Sequence, residues 1–373
     1  MDNLDIILTQ FKGDSTQTEL VFSNKTSEER KRIHELCVTH NLHSESKGLC
    51  AERKLYVTKK QVKPKNEVTI TDTDRKMLIK DYMLPIPIHL EPYFSYYINF
   101  LDPIADTKAK YNLLLDAKAI LNKQQNNLKD ESHRIMNTII SAIRNAPDYT
   151  NLIKDSKYDA KILPSEFNIY NKTSFYCISI DIIKANFTSA KFISSELVLN
   201  CDTWEELIGR FTDIDYFIQS KHFRQIIYGN LGIKKLPVVQ KYMLGELHNK
   251  LKDKVKVLGK CNTDELFVST TKETIKDDYQ TIINLISELP DNLKHIWKII
   301  PVLIEPLGQL AHTRKIFNDL DNLDNYKLEI KNVNKDLYAQ AYKFYKGEKI
   351  TDDDLMAMKE EYPIKYCAPA FFI

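Results

Sequence analysis

Arg30 and His34 stand four residues apart in SEERKRIHELCVTHNLHSESKGLCAERKLYVTKK, the stretch from Ser27 to Lys60. A guanidinium offers a rigid fork of donors and an imidazole adds another polar edge, a combination suited to phosphate oxygens or a stacked base. From Arg30 to Lys65 ten Lys or Arg residues stand against three acids, Glu35, Glu45 and Glu52. The whole chain of 373 residues carries a net charge of only +2, so attraction to a polyanion has to come from this local cluster. Two further places hold carboxylates suited to metal chemistry. Asp181 closes the alternating apolar run SFYCISID, and Asp264 and Glu265 fall in the polar turn KCNTDE between KVKVLG and LFVST. An acid at a strand end and others on a neighbouring hairpin can hold two cations about 4 Å apart, the arrangement that stabilises attacking and leaving oxygens in nucleotidyl transfer.

These side chains need elements to place them. A helix capped by Ser27 sets Arg30 and His34 one turn apart on one side, next to an apolar stripe of Ile33, Leu36 and Cys37. TELVFS and KLYVTK read as strands, with HSESKG, His43 to Gly48, as a turn. Further on, Leu113, Leu114, Ala117, Ile120 and Leu121 form one helical stripe and Ile135, Met136, Ile139, Ile140 and Ile143 another, broken near Asn126 and Asn127. TWEEL carries a capping box from Thr203 to Glu206, and DIDYFIQSKHFRQIIYGN reads as one helix stopped near Gly229. MLPIPIHLEPYFSYYINFLDP reads as an extended arm, and Thr274 to Gly347 as mostly helical with breaks at Pro290, Pro301 and Pro306. The expected class is α+β: a small α/β module (1–65), an extended linker or arm (66–105), a helical connector (106–160), a larger mixed α/β region (161–275) and a helical C-terminal region (276–373).

The Arg30–His34 pair, the turn HSESKG, Arg53 and the strand KLYVTK together resemble the R-3-H domain, a family named for its Arg-x-x-x-His pair. The resemblance implies a small sheet carrying two helices that binds single-stranded DNA or RNA. Arg30 and His34 would be the contacts, Ser46 and Gly48 would shape the turn, and Arg53, with Lys54 beside it, would meet phosphate. DIIKANF resembles the first motif of a reverse-transcriptase-type palm, GIKKLPVVQKYM the second, and NTDEL the acidic hairpin. That likeness implies Asp181 and Asp264 as magnesium ligands with Glu265 beside them, Asn186 near an incoming sugar, and a nucleotidyltransferase or an inactive scaffold derived from one as the alternative function. Glu265 stands where that family places a second aspartate, and Asn186 where it places an aromatic residue. The layout is similar to that of R-3-H proteins of large DNA viruses.

Other classes are disfavoured. The six cysteines, Cys37, Cys50, Cys177, Cys201, Cys261 and Cys367, contain no CxxC pair, so reduced thiols in a cytoplasmic or nuclear compartment are expected rather than structural zinc or a disulfide framework. Acids in MDNLDIILTQFKGD argue against a secretory signal, and no apolar run is long enough for a membrane helix. Neither GxGxxG nor GxxxxGK[ST] occurs. Binding a strand needs no cofactor, and the apolar tail CAPAFFI suggests a contact for a protein partner.

Overall fold

Thr26 opens the helix that carries the basic pair. Its hydroxyl accepts from the Glu29 amide at 3.2 Å, and the Glu29 carboxylate accepts from the Thr26 amide at 2.7 Å. This reciprocal box satisfies two otherwise orphaned donors and sets the cap one residue ahead of Ser27, which becomes the first helical residue. The computed structural model describes residues 3–13, 17, 19–23, 25–40, 42–47, 54–59, 68–147, 149–152, 158, 163–167, 173–308, 311–359 and 362–366. Two units divide the chain, residues 1–69 and 70–373.

The first unit runs α1 (Asn3–Gly13), β1 (Glu19–Phe22), α2 (Ser27–Thr39), β2 (Leu42–Lys47) and β3 (Lys54–Lys59). Strand β3 is central, in the order β1-β3-β2, and both pairings are antiparallel. Leu55 and Val57, alternate residues of β3, are fully buried against Leu8 and Phe11 of α1 and Ile33 and Cys37 of α2. Each such side chain contributes about 1.5–3 kcal/mol by leaving water, so this small core fixes how α2 lies on the sheet. The expected turn at HSESKG is instead strand: His43 pairs with Thr58 and Ser46 with Leu55. Polar residues are tolerated there because β2 is an edge with one neighbour. Gly48, Arg53 and residues 60–67 lie outside the described residues.

In residues 70–373, α3 (Asp72–Asp81), α4 (Tyr93–Phe100), α5 (Asp102–Ala105), α6 (Thr107–Lys123), α7 (Leu128–Arg144) and α8 (Tyr149–Leu152) precede β4 (Phe175–Ile182). Five helices follow: α9 (Ala185–Ile193), α10 (Trp204–Gly209), α11 (Asp215–Gln219), α12 (Lys221–Leu231) and α13 (Leu236–Leu251). The hairpin β5 (Val257–Cys261) and β6 (Glu265–Ser269) leads to α14 (Ile275–Ser287), α15 (Asp291–Lys294) and β7 (Trp297–Pro306). Strands β8 (His312–Phe317) and β9 (Tyr326–Lys331), helix α16 (Tyr338–Tyr345) and a hairpin of β10 (Met356–Lys359) and β11 (Tyr362–Lys365) complete the described chain.

Several expectations need correction. The described part of the expected 66–105 arm is not extended: Phe94, Tyr97 and Ile98 of α4 and Leu78 of α3 are buried in the large helical core. Nor is 276–373 mainly helical, since five strands lie among its described residues. Pro301 does not interrupt β7, because β8 pairs with β7 only from Val302 onward. At Pro301 the strand is therefore an edge, where a missing donor is tolerated. The expected single helix at 213–230 is two, separated at Ser220, whose hydroxyl caps α12; Gly232, at φ 66°, ends it. The boundaries drawn at 105, 160 and 275 fall inside one unit.

The main sheet has the order β5-β6-β4-β7-β8-β9, antiparallel throughout. Its first four strands follow the split β-α-β pattern, in which the first strand sits between the third and the fourth. Ile178, Ile180 and Ile182 point to one face with Leu266 and Val268, packed under Met243, Leu244 and Leu247 of α13 and Ile282 of α14. By alternation, Cys177, Ser179 and Asp181 belong to the other face, where Phe267, Val302 and Ile304 form a smaller cluster with Cys177. The outer edge of β5 is covered by Ser165–Phe167. Gly259, at φ 149°, permits this, for a Cβ there would stand 2.7 Å from the Ser165 carbonyl oxygen.

Candidate functional sites

On α2, Ile33 and Cys37 are fully buried while Arg30 and His34 are half-buried, so the pair borders the core without entering it. The Arg30 guanidinium donates through Nη1 to the Lys25 carbonyl. That contact uses one of its five donors and ties the side chain to the residue before the helix cap. His34 Nδ1 lies 2.7 Å from the Ser44 hydroxyl, which fixes the ring across α2 and β2. The same hydroxyl also hydrogen-bonds the Cys37 thiol, whose pKa burial nevertheless pushes up. A neutral, buried thiol of this kind is a packing residue. Ser44 is the positioning residue that sequence reasoning overlooked; its place two residues after Leu42, on the same face of β2, was the available signal. Arg32 of α2 and Lys54 of β3 are exposed. Ser46 is placed in β2, but its side chain and all of Arg53 lie outside what is described, as do Lys60, Lys63 and Lys65. His40 meets Asp5 of α1 at 2.5 Å, a tie between the two helices.

Residues 3–59 match the R-3-H domain family. The chain thus carries an R-3-H module at its N-terminus, a family type that binds nucleic acid. No curated protein and no solved structure matches the chain.

In the larger unit the three expected acids gather at one corner of the sheet. Asp181 of β4 is the register partner of Glu265 of β6, and the Ile182 amide donates to the Asp264 carbonyl at 3.0 Å. Burial, then the charges of Asp264 and Glu265, raises the Asp181 pKa to about 6, against the opposing pull of Lys221 and Lys298. Burial and Glu265 likewise push Asp264 up. Glu265 has a different environment. One of its oxygens accepts from Ser179 Oγ at 2.6 Å and from Arg314 Nη1 at 2.7 Å, and the guanidinium lies over Phe267, 5.1 Å from the ring centroid. The protein itself therefore answers the Glu265 charge. Among the described residues, no group of three or more His, Cys, Asp or Glu side chains is arranged to hold a metal ion. Burial is the first cause of the rise at both Asp181 and Asp264, and Glu265 adds a neighbouring negative charge to each.

Asn186, at the start of α9, accepts from Gln240 Nε2 at 3.3 Å, and Thr263 donates to Gln240 Oε1 at 2.9 Å. Gln240 is 5% exposed, so this chain joins α9, α13 and the acidic hairpin through a buried amide. Lys184 is paired with Glu205 rather than with the acids. The CAPAFFI tail lies outside the described residues, and no helix among the described residues is long and apolar enough to cross a membrane.

Proposed function

We propose that the chain binds single-stranded nucleic acid through its R-3-H module, with Arg30 and His34 as paired contacts and Arg32 and Lys54 adding positive charge beside them. The match over residues 3–59 carries the reading. It is supported by a guanidinium and an imidazole held one turn apart at the margin of the core, each anchored by a contact within the module. Arg53, Ser46 and the lysines beyond β3 extend the same proposal. Anisotropy titrations of the full chain with labelled single-stranded DNA, single-stranded RNA and duplex test it. One of the single strands binds at least tenfold tighter than duplex; equal or tighter duplex binding overturns the single-strand assignment.

The strand order and the acidic corner favour a second reading, a palm-type nucleotidyltransferase or an inactive relative of one. Magnesium takes one or two carboxylates together with substrate phosphates, and Asp181 and Asp264 would hold it. Bound there, the cation would supply charge stabilisation for phosphoryl oxygens. Arg314 keeps Glu265 turned to the protein, and the Gln240 relay holds Asn186 in register with the hairpin. Primer extension with wild type and Asp181→Asn separates the cases. Extension abolished by the substitution supports the enzyme, extension that survives it removes Asp181, and no extension on any template leaves the binder.

A further inference from the structure

Both helices of the N-terminal unit pack on one face of its sheet. Leu20 and Phe22 of β1, Leu55 and Val57 of β3 and Leu42 of β2 belong to the core under α1 and α2. Alternation sends the residues between them to the opposite face. There the register sets Val21 beside Tyr56 and Glu19 beside Thr58, and Lys54 begins the row on the central strand. An antiparallel sheet with one face in water normally places polar residues on it. Here the centre of the face is apolar: Val21 is 43% exposed, and the Tyr56 ring next to it is half-buried.

The surroundings favour a polyanion. Lys54 is exposed, and among the described residues no carboxylate pairs with it. Its register partner on β2 is another lysine, Lys47. Glu19 and Glu45 share the face by register, but they are outweighed locally, since ten Lys or Arg stand against three acids between Arg30 and Lys65. The face also adjoins the Arg30–His34 pair. His34 is tied to Ser44 of β2 at 2.7 Å, and β2 is the neighbour of β3. A chain that leaves His34 over the β2 edge has one further strand spacing, about 4.8 Å, to cross before it meets Tyr56.

We propose that this open sheet face is a base-stacking platform, on which an unpaired base lies against the Tyr56 ring beside Val21 while Lys54 holds the adjoining phosphate. Every base has a π-face, so a ring placed this way takes a single strand with little regard to its sequence. Bases already stacked within a duplex offer it nothing to hold. The inference rests on the single-strand reading above and adds to it the group that engages unpaired bases.

Anisotropy titrations of the full chain test it with two labelled single strands of equal length, one intact and one made abasic at its centre. Tyr56→Ala lowers affinity for the intact strand about fivefold or more, and Tyr56→Phe restores it. Neither changes the slope of log K against log salt, because no phosphate contact is lost. The abasic strand binds wild type and Tyr56→Ala alike. Val21→Glu, at an exposed edge position, weakens the intact strand by repelling its phosphates, with circular dichroism confirming the fold. The platform is overturned, and the helix contacts stand, if Arg30→Ala/His34→Ala loses the strand while Tyr56→Ala and Val21→Glu bind as wild type. It is overturned too if Tyr56→Ala weakens intact and abasic strands equally. Loss in Tyr56→Ala with wild-type affinity in Arg30→Ala/His34→Ala upholds the platform and removes the helix contacts. Absence of single-strand binding by wild type overturns both.

Discussion

Replacing Asp181 by Asn should stabilise the larger unit at neutral pH, the reverse of what most buried substitutions do. The Asp181 carboxyl is raised from its ordinary value of 3.8 to about 6, first by burial and then by Asp264 and Glu265. A raised acid binds its proton earlier in the folded state than in the unfolded one. Its ionised form therefore costs stability above pH 6, and the cost disappears as pH falls from about 6 to about 4. A shift of roughly two units corresponds to about 3 kcal/mol at 1.36 kcal/mol per unit. For a unit of about 300 residues, unfolding entropy near 2.1 cal/mol/K per residue converts this to a Tm increase of about 5 °C. Thermal unfolding of wild type and Asp181→Asn, followed from pH 4 to 8, measures it. The variant melts about 5 °C higher at pH 7.5, and the gap closes by pH 4. A variant that is no more stable at pH 7.5, or whose advantage persists unchanged in acid, refutes the reasoning.

Other consequences follow from the same corner and its surroundings. Magnesium should raise the Tm of wild type and leave that of Asp181→Asn unmoved; equal shifts in both would place the cation elsewhere. Arg314→Met leaves the Glu265 charge beside Asp181 without its cationic partner and should destabilise by about 3–5 kcal/mol, most of it recovered in Arg314→Met/Glu265→Gln; denaturant titration of the single and double variants checks this. His312, 3% exposed with neither ring nitrogen hydrogen-bonded, has its pKa lowered to about 4 by burial and then by Arg314 and Lys331. Its contribution is present above pH 6.5 and is lost as pH falls toward 4, by about 3 kcal/mol. His312→Leu should shrink that acid loss by the same amount in denaturant titrations, and an unchanged acid profile would contradict it.

Much of the N-terminal module was legible because its signals are local. Arg30, His34 and the Ile33–Cys37 stripe follow from helical spacing, and Leu55 and Val57 from strand alternation. HSESK was less legible: its polar composition suits a turn, and only the pairing with β3 makes it an edge strand. Asp181, Asp264 and Glu265 could be placed on a strand end and a hairpin from sequence, and the structure sets them side by side. What the sequence concealed was the Arg314 partner of Glu265, 49 positions away, because a long-range ion pair leaves no periodic trace. The strands after Trp297 were hidden for a related reason. Proline reads as a break in any single segment, and only sheet order reveals that Pro301 lies where β7 has no second neighbour.

The decisive measurement is the affinity of the full chain for a labelled single strand, across a range of salt, with wild type and with Arg30→Ala/His34→Ala. Two charge-assisted contacts at about 1.5 kcal/mol each correspond to a loss of roughly a hundredfold. Removal of the Arg30 charge should also reduce the slope of log K against log salt by about 0.7, one phosphate's worth on a single strand. Wild-type affinity and slope in a variant that retains its fold would contradict the assignment of the strand to this face of the R-3-H module.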